Sequence, residues 1–303
     1  MKNPFTKLLL MHHTLKSLRA FPGLFSLPDA IKQIHRVLLP ARVNDFLAGV
    51  QMKKMLRMHS NALRPDVARI DCLPLGVHFY WKMPLSNNLF YMAEQECYDQ
   101  NPHFYTSPPI QVQETRIIFD IGACEGLFAF RMATSLPQAS IHCFEPFAEM
   151  AQLLQQGADS NQLAPQINIH PIAMGKEVGH VKFMDHDCPD AGTVRPCTPN
   201  EPNALVSSTI DRFCQDQPLS LTRHDLIKID AEGADFDVLM GAEAMIRKYQ
   251  PQIAITTYHE DAHAEAIYRW LNALELGYKF RLKGFSFWTS RPRPVLLLAS
   301  TLD

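Results

Sequence analysis

No apolar run in these 303 residues approaches the ~18 that a membrane-spanning helix needs. The early run Leu8-Leu9-Leu10-Met11 is too short for a secretory h-region, and His12-His13 follows it at once. A cytoplasmic protein is therefore expected. The seven cysteines (72, 97, 124, 143, 188, 197 and 214) are odd in number and include no Cys-x-x-Cys pair, which points to reduced thiols and away from a disulfide framework. Cys143, inside an apolar strand pattern, reads as a small core residue. The chain has no internal repeat and no low-complexity tract, and its three tryptophans (81, 270 and 288) form no stacking platform. A nucleic-acid footprint is weak because the catalytic half of the chain is acidic, so nucleic acid is not an expected partner. What is present, 47% hydrophobic and 20% charged residues, suits a globular chain with one large α/β domain and an appendage.

The near-neutral total conceals a split. Residues 1–70 hold twelve Lys/Arg against three Asp, a net charge of +9, while the remainder carries seventeen basic and twenty-eight acidic residues, or −11. Such a segment is expected to meet something anionic: a membrane surface, an acidic glycan, or the acidic body of the same chain. Leu8, Met11, Leu15 and Leu18 fall at helical spacing, as do Ile31, Ile34, Val37 and Leu38, and prolines 22, 28, 40 and 65 divide the region into short pieces. Residues 1–70 thus read as a basic, mainly helical extension, with peripheral contact at the inner face of the membrane through 1–65 as a separate expectation. Residues 71–114 read as an aromatic, β-like lead-in (77–82, then 88–91) and a linker marked by prolines 102, 108 and 109. Residues 115–303 read as the catalytic domain.

In that domain strands and helices alternate, as a parallel sheet with crossover helices requires. The predicted strands are 116–121, 140–145, 167–172, 225–230 and 252–258, with helices over 126–136, 147–157 and 235–248. Two further strands, 277–282 and 294–299, have no long helix between them and must pair antiparallel.

The run Ile117-Ile118-Phe119-Asp120-Ile121-Gly122-Ala123-Cys124-Glu125-Gly126 is a strand, a glycine turn and a helix opening, the nucleoside-binding corner of doubly wound folds. Its spacing is Asp-x-Gly-x-x-x-Gly. The tight Gly-x-Gly-x-x-Gly that brings helix amides to a dinucleotide pyrophosphate is absent. S-adenosyl-L-methionine has no phosphate and a cationic methionyl end, which Asp120 suits, while Gly122 permits close backbone approach. Glu145 ends the second strand nineteen positions after Gly126, near the ~20-residue offset of a carboxylate that accepts ribose hydroxyls. Pro146 then stops the strand and starts a helix.

The fourth strand carries Lys228, Asp230, Glu232 and Gly233, with Lys228 and Asp230 on one face, where an ion pair would hold the acid in place. Asp230 and Glu232 are candidate catalytic acids or bases. After the fifth strand, His259 is a candidate proton acceptor and Tyr258 an orienting phenol. The mixed run 185–190 matches no metal-ligand spacing, and no metal site is expected.

Taken together these residues resemble the FkbM-type methyltransferases. The matching elements are Phe119-Asp120-Ile121-Gly122-Ala123 with Gly126, Phe144-Glu145-Pro146, Ala173, and Thr209-Ile210-Asp211-Arg212-Phe213. The run Lys228-Ile229-Asp230-Ala231-Glu232-Gly233 is the most family-specific part, and Val238-Leu239-Met240-Gly241-Ala242 continues it. The likeness covers roughly 75–300, and Cys124 departs from it by replacing a common Asn. It implies a class I S-adenosylmethionine-methyltransferase (Rossmann-like) fold with a seven-stranded, mostly parallel sheet and one antiparallel strand. It also implies S-adenosyl-L-methionine as cofactor, held by Asp120, Gly122, Ala123, Gly126, Glu145, Pro146 and the backbone at Ala173, and methyl transfer to a sugar, glycan or natural-product hydroxyl. Two rival readings are a cofactor-binding scaffold without turnover and an NAD-linked oxidoreductase.

Overall fold

The computed structural model describes residues 4–31, 54–60, 64–84, 88–183, 194–217, 219–286, 289 and 291–303. Helix α1 (Pro4–Ala20) comes first, and β1 (Leu56–Ser60), β2 (Val67–Cys72) and β3 (Val77–Lys82) form a small antiparallel sheet followed by α2 (Asn88–Cys97). The larger unit begins with β4 (Ile117–Ile121), α3 (Leu127–Ser135), β5 (Ser140–Phe144), α4 (Ala148–Ser160) and β6 (Ile167–His170). Four short strands, β7 (Ala173–Met174), β8 (Gly179–Phe183), β9 (Val194–Pro196) and β10 (Leu205–Ser208), make a side sheet ahead of α5 (Ile210–Asp216). The chain closes with β11 (Leu226–Ile229), α6 (Asp235–Met240), α7 (Glu243–Tyr249), β12 (Gln252–Thr256), α8 (His263–Ala273), β13 (Lys279–Phe285) and β14 (Pro294–Ser300).

The main sheet has the order β13-β14-β12-β11-β4-β5-β6. β14 runs antiparallel to both neighbours and all other pairings are parallel, as the sequence predicts. Period-two alternation decides what each face meets. Ile118, Ile141, Leu226, Ala254 and Leu298 point into one core, with α3, α4, α2 and the small sheet. Phe119, Ile121, Ile227, Ile229, Ile253 and Leu297 point into the other, under α5 to α8. Strands buried on both faces read as continuous apolar runs, and each fully buried Ile or Leu contributes about 1.5–3 kcal/mol.

Several readings change. Residues 56–60 and 67–70 are strand, not helix, and the boundary at 70 falls inside β2. Residues 88–91 open helix α2, which buries Leu89, Phe90 and Ala93 on one side; local aromatic content mimicked a strand. The helical stretch 235–248 is two helices, because Asp211 accepts hydrogen bonds from the amides of Ala244 and Met245 and so caps a fresh start for α7. The side sheet had no sequence counterpart. The run 185–190 and the positions Ile34, Val37 and Leu38 lie outside the described residues.

The N-terminal segment covers the sheet edge. The Leu282 amide donates to the Leu24 carbonyl at 2.8 Å, Phe25 stacks on Phe285 with ring centroids 4.6 Å apart, and Arg281 pairs with Asp29 at 3.0 Å. The edge of β13 is thereby covered at Leu282. Leu8, Leu9 and Leu15 of α1 are exposed, and no helix among the described residues is long and apolar enough to cross a membrane.

Strand order reverses between β4 and β11, which opens a crevice at their carboxyl ends. Gly122 sits there with φ +73°, and a Cβ on it would collide with the carbonyl oxygen of Asp230. Gly122→Ala is expected to destabilise the fold by about 2–6 kcal/mol, from left-handed strain together with overpacking. Urea unfolding followed by circular dichroism checks this, and an unchanged midpoint would remove the constraint.

Candidate active site

Parallel pairing of β11 with β4 sets Lys228 directly opposite Asp120. Their side chains form an ion pair at 2.8 Å and are 5% and 0% exposed. The same ammonium donates to the Gly122 carbonyl at 2.7 Å and the Ile121 carbonyl at 3.3 Å, which fastens the glycine turn to β11. Burial works against the charge on Lys228, but Asp120 and then Asp230 outweigh it and hold the amine above its ordinary pKa. Two expectations are corrected here. Asp120 does not face the cavity, because its carboxylate is engaged by Lys228, and Lys228 takes Asp120 as its partner in place of Asp230.

A cavity of about 680 Å³ lies over the crevice. Every site residue expected from the sequence lines it except Asp120 and Gly126. Gly126, at φ +84°, is a packing position: a Cβ there would press on Leu154 and Phe130, where α3 meets α4.

At one end of the cavity stands Glu145, just past β5 and 5% exposed. Its Oε2 accepts the Cys124 amide and its Oε1 the Phe147 amide, both at 3.0 Å. The turn thereby contacts this carboxylate through its backbone, so the identity of the side chain at 124 matters little to that bond. Burial pushes Glu145 up to about 7, although both amides pull the other way. Phe144, Phe147, Met150 and Met174 give this end apolar walls. Nearby Glu125 is buried and likewise pushed up to about 7 by burial.

The other end is acidic. Asp230 accepts the Tyr105 hydroxyl on Oδ2 at 2.6 Å. Asp235 opens α6 fully buried and accepts from the Ala231 amide (2.8 Å), the Gly233 amide (3.2 Å), the Thr256 hydroxyl (2.8 Å) and His259 Nδ1 (2.7 Å). Burial alone would raise this carboxyl, but His259 and these donors hold it at about 2. His259 points Nε2 toward Glu232 Oε2 at 3.3 Å and Asp230 Oδ1 at 3.6 Å. Burial would lower the imidazole, yet Asp235 in the first place, then Glu232 and Asp230, raise it well above its usual range. Burial lifts Glu232 to about 7, with His259 pulling against it.

Sequence reasoning missed Asp235, Tyr105 and His103. Asp235 had a signal, an acid in the first turn of a helix after a strand, where the helix dipole favours it. Tyr105 had none, since it comes from a segment read as linker, 125 positions before its partner. His103, held neutral by burial with its pKa lowered to about 4, packs edge-on to Tyr258 at 5.1 Å. The expectation of no metal ligands rested on spacing along the chain, and that spacing does not register Asp230, Glu232 and His259 meeting in space.

Comparison with known proteins bears on this arrangement. The sequence model of the family described as Methyltransferase FkbM domain matches residues 120–280. The AMB antimetabolite synthetase AmbE of Pseudomonas aeruginosa is 25% identical over 175 residues, which span 46% of this chain and 8% of that protein's length. A methyltransferase FkbM from Methylobacillus flagellatus KT is similar in structure, with a TM-score of 0.48, 17% identity, and coverage of 70% of this chain and 53% of that one. A precorrin-6y C5,15-methyltransferase from Geobacter metallireducens GS-15 has a TM-score of 0.38 at 12% identity, over 63% of this chain and 82% of its own.

Two outcomes are expected from the buried charges. Lys228→Met strands the Asp120 carboxylate and should cost about 3–5 kcal/mol in guanidinium unfolding; a change below 1 kcal/mol would leave the pair without structural weight. Glu125 binds its proton more tightly folded (about 7) than unfolded (4.5), so its stabilising effect is complete below 4.5 and is lost as pH rises through 7. Glu125→Gln should flatten the fall in melting temperature between those limits, and a parallel pH profile in the variant counts against this.

Proposed function

Because the chain belongs to the FkbM methyltransferase family, we propose that it transfers a methyl group from S-adenosylmethionine to a hydroxyl oxygen of a sugar, glycan or natural-product acceptor. The observation that carries this reading is Glu145, a buried carboxylate fixed by two backbone amides at the end of the second sheet strand and turned to a 680 Å³ cavity. Its remaining acceptor capacity suits a pair of vicinal hydroxyls, and the apolar walls beside it suit a flat base. The donor chemistry of the site therefore fits an adenosyl group. When bound, S-adenosylmethionine supplies a sulfonium methyl as electrophile and leaves as a neutral thioether.

The roles of this chain's residues follow from where they stand. Glu145 accepts the ribose hydroxyls, with Ala123 and Pro146 beside it, and Ala173 lines the adenine side. Gly122, fastened by Lys228, keeps the turn in place. Asp230, Glu232 and His259 form the corner that receives the acceptor hydroxyl, and a carboxylate of this corner takes up its proton as the oxygen gains the methyl. Tyr105 and Asp235 hold Asp230 and His259 in orientation. Positioning of the acceptor oxygen supplies several kcal/mol of the barrier, and proton removal adds about 10²–10⁴-fold.

Calorimetry with S-adenosylmethionine tests the donor. One site per chain is expected, and absence of binding by the pure protein sinks the reading. Glu145→Ala should weaken that binding by about 1.5–3 kcal/mol, the loss of a hydrogen bond to a charged group. Since Glu145 titrates at about 7, wild-type affinity should rise between pH 6 and 8; equal affinity at both ends removes the ribose assignment.

A further inference from the structure

We propose that Asp230, Glu232 and His259 bind a divalent transition-metal ion, and that the acceptor oxygen occupies one of its open positions. The second clause rests on the methyl-transfer reading, whereas the first stands on the side chains alone.

The three residues each offer one ligand atom, and these atoms lie within 4.8 Å of one another. His259 Nε2 is 3.3 Å from Glu232 Oε2 and 3.6 Å from Asp230 Oδ1. Donors sharing a first-row metal at about 2.0–2.2 Å stand about 3.0–3.6 Å apart, for tetrahedral or octahedral angles. The His259 side chain is only 9% exposed, yet Nε2 has no hydrogen-bond partner. Both carboxylate oxygens stand beside that nitrogen at distances that co-ligands of one cation keep. With no ion bound, a proton on the imidazole offsets the negative charge of the two carboxylates, and a metal ion would take that proton's place.

The supporting groups follow the pattern of a metal centre. A ligating histidine donates its second ring nitrogen to a carboxylate, which sets the tautomer and aims the lone pair. Here His259 Nδ1 meets Asp235 at 2.7 Å, and Asp235 is fixed in turn by two amides and the Thr256 hydroxyl. Asp230 is oriented by the Tyr105 hydroxyl on its far oxygen, which turns Oδ1 toward His259. An imidazole with two carboxylates favours an ion such as Mn²⁺ or Zn²⁺ over Ca²⁺. Three protein donors leave positions free for substrate. All three residues line the cavity that Glu145 faces, so an acceptor oxygen reaches the ion from the same chamber. Bound there, the ion would acidify the hydroxyl and hold it toward the methyl donor.

Titrating the full chain with Mn²⁺ alone tests the site. One ion per chain is expected, with affinity reduced about ten-fold or more in Glu232→Gln and His259→Gln. Pulsed electron paramagnetic resonance of the wild-type Mn²⁺ complex should show coupling to a directly bound imidazole nitrogen. That reading needs no variant and holds even if a substitution fails to fold. No Mn²⁺ uptake, no nitrogen coupling, or undiminished binding in well-folded variants overturns the proposal. S-adenosylmethionine calorimetry in parallel separates the two ideas: the cofactor binding without Mn²⁺ leaves methyl transfer standing and the metal site gone, and Mn²⁺ binding without the cofactor gives the reverse.

Discussion

Lys228 and Asp120 face each other across the seam between β11 and β4, both out of water, and the glycine turn hangs on the same ammonium. This pair stands where the strand order reverses, so it joins the two halves of the sheet at the point where their ends must diverge to make a crevice. Gly122 presses against the Asp230 carbonyl, which ties the turn to the start of the acidic corner. The two ends of the cavity are therefore held in one frame by a buried charge pair and a backbone contact a few residues apart.

Around that frame, carboxylates of similar intrinsic acidity are driven apart by their surroundings. Asp235, with three donors and an imidazole, is held at about 2, whereas Glu145 and Glu232, also buried but with less compensation, rise to about 7. The first is suited to orienting a histidine and stays charged. The other two line the same cavity, where a small change of environment switches their charge.

The family-specific elements divide between structure and chemistry. Thr209 and Asp211 serve helix ends: the Thr209 hydroxyl accepts the Arg212 amide, and the Asp211 carboxylate starts α7. In the run from Lys228 to Gly233, the lysine is structural while Asp230 and Glu232 reach the cavity. A motif read as one unit thus combines a brace with a working surface, because side chains two apart on a strand share a face but not a depth.

Much of the fold was legible because apolar strands and their breakers are local signals. β4, β5, β11, β12 and the antiparallel β14 came from hydrophobic runs and connection lengths, and Glu145 came from its offset after Gly126. The short side strands and α2 were not legible, since two- to five-residue strands and aromatic helix starts carry weak periodicity. Within the site, residue types at strand ends pointed to positions that line one cavity. Only the tertiary structure decided that Asp120 turns to Lys228, that Tyr105 crosses 125 positions to Asp230, and that Asp235 aims His259 at two carboxylates. Sequence spacing records neighbours along one strand or one helix turn. Partners brought together by sheet register and by a packed lead-in segment are set by the burial of both cores, which no local pattern encodes.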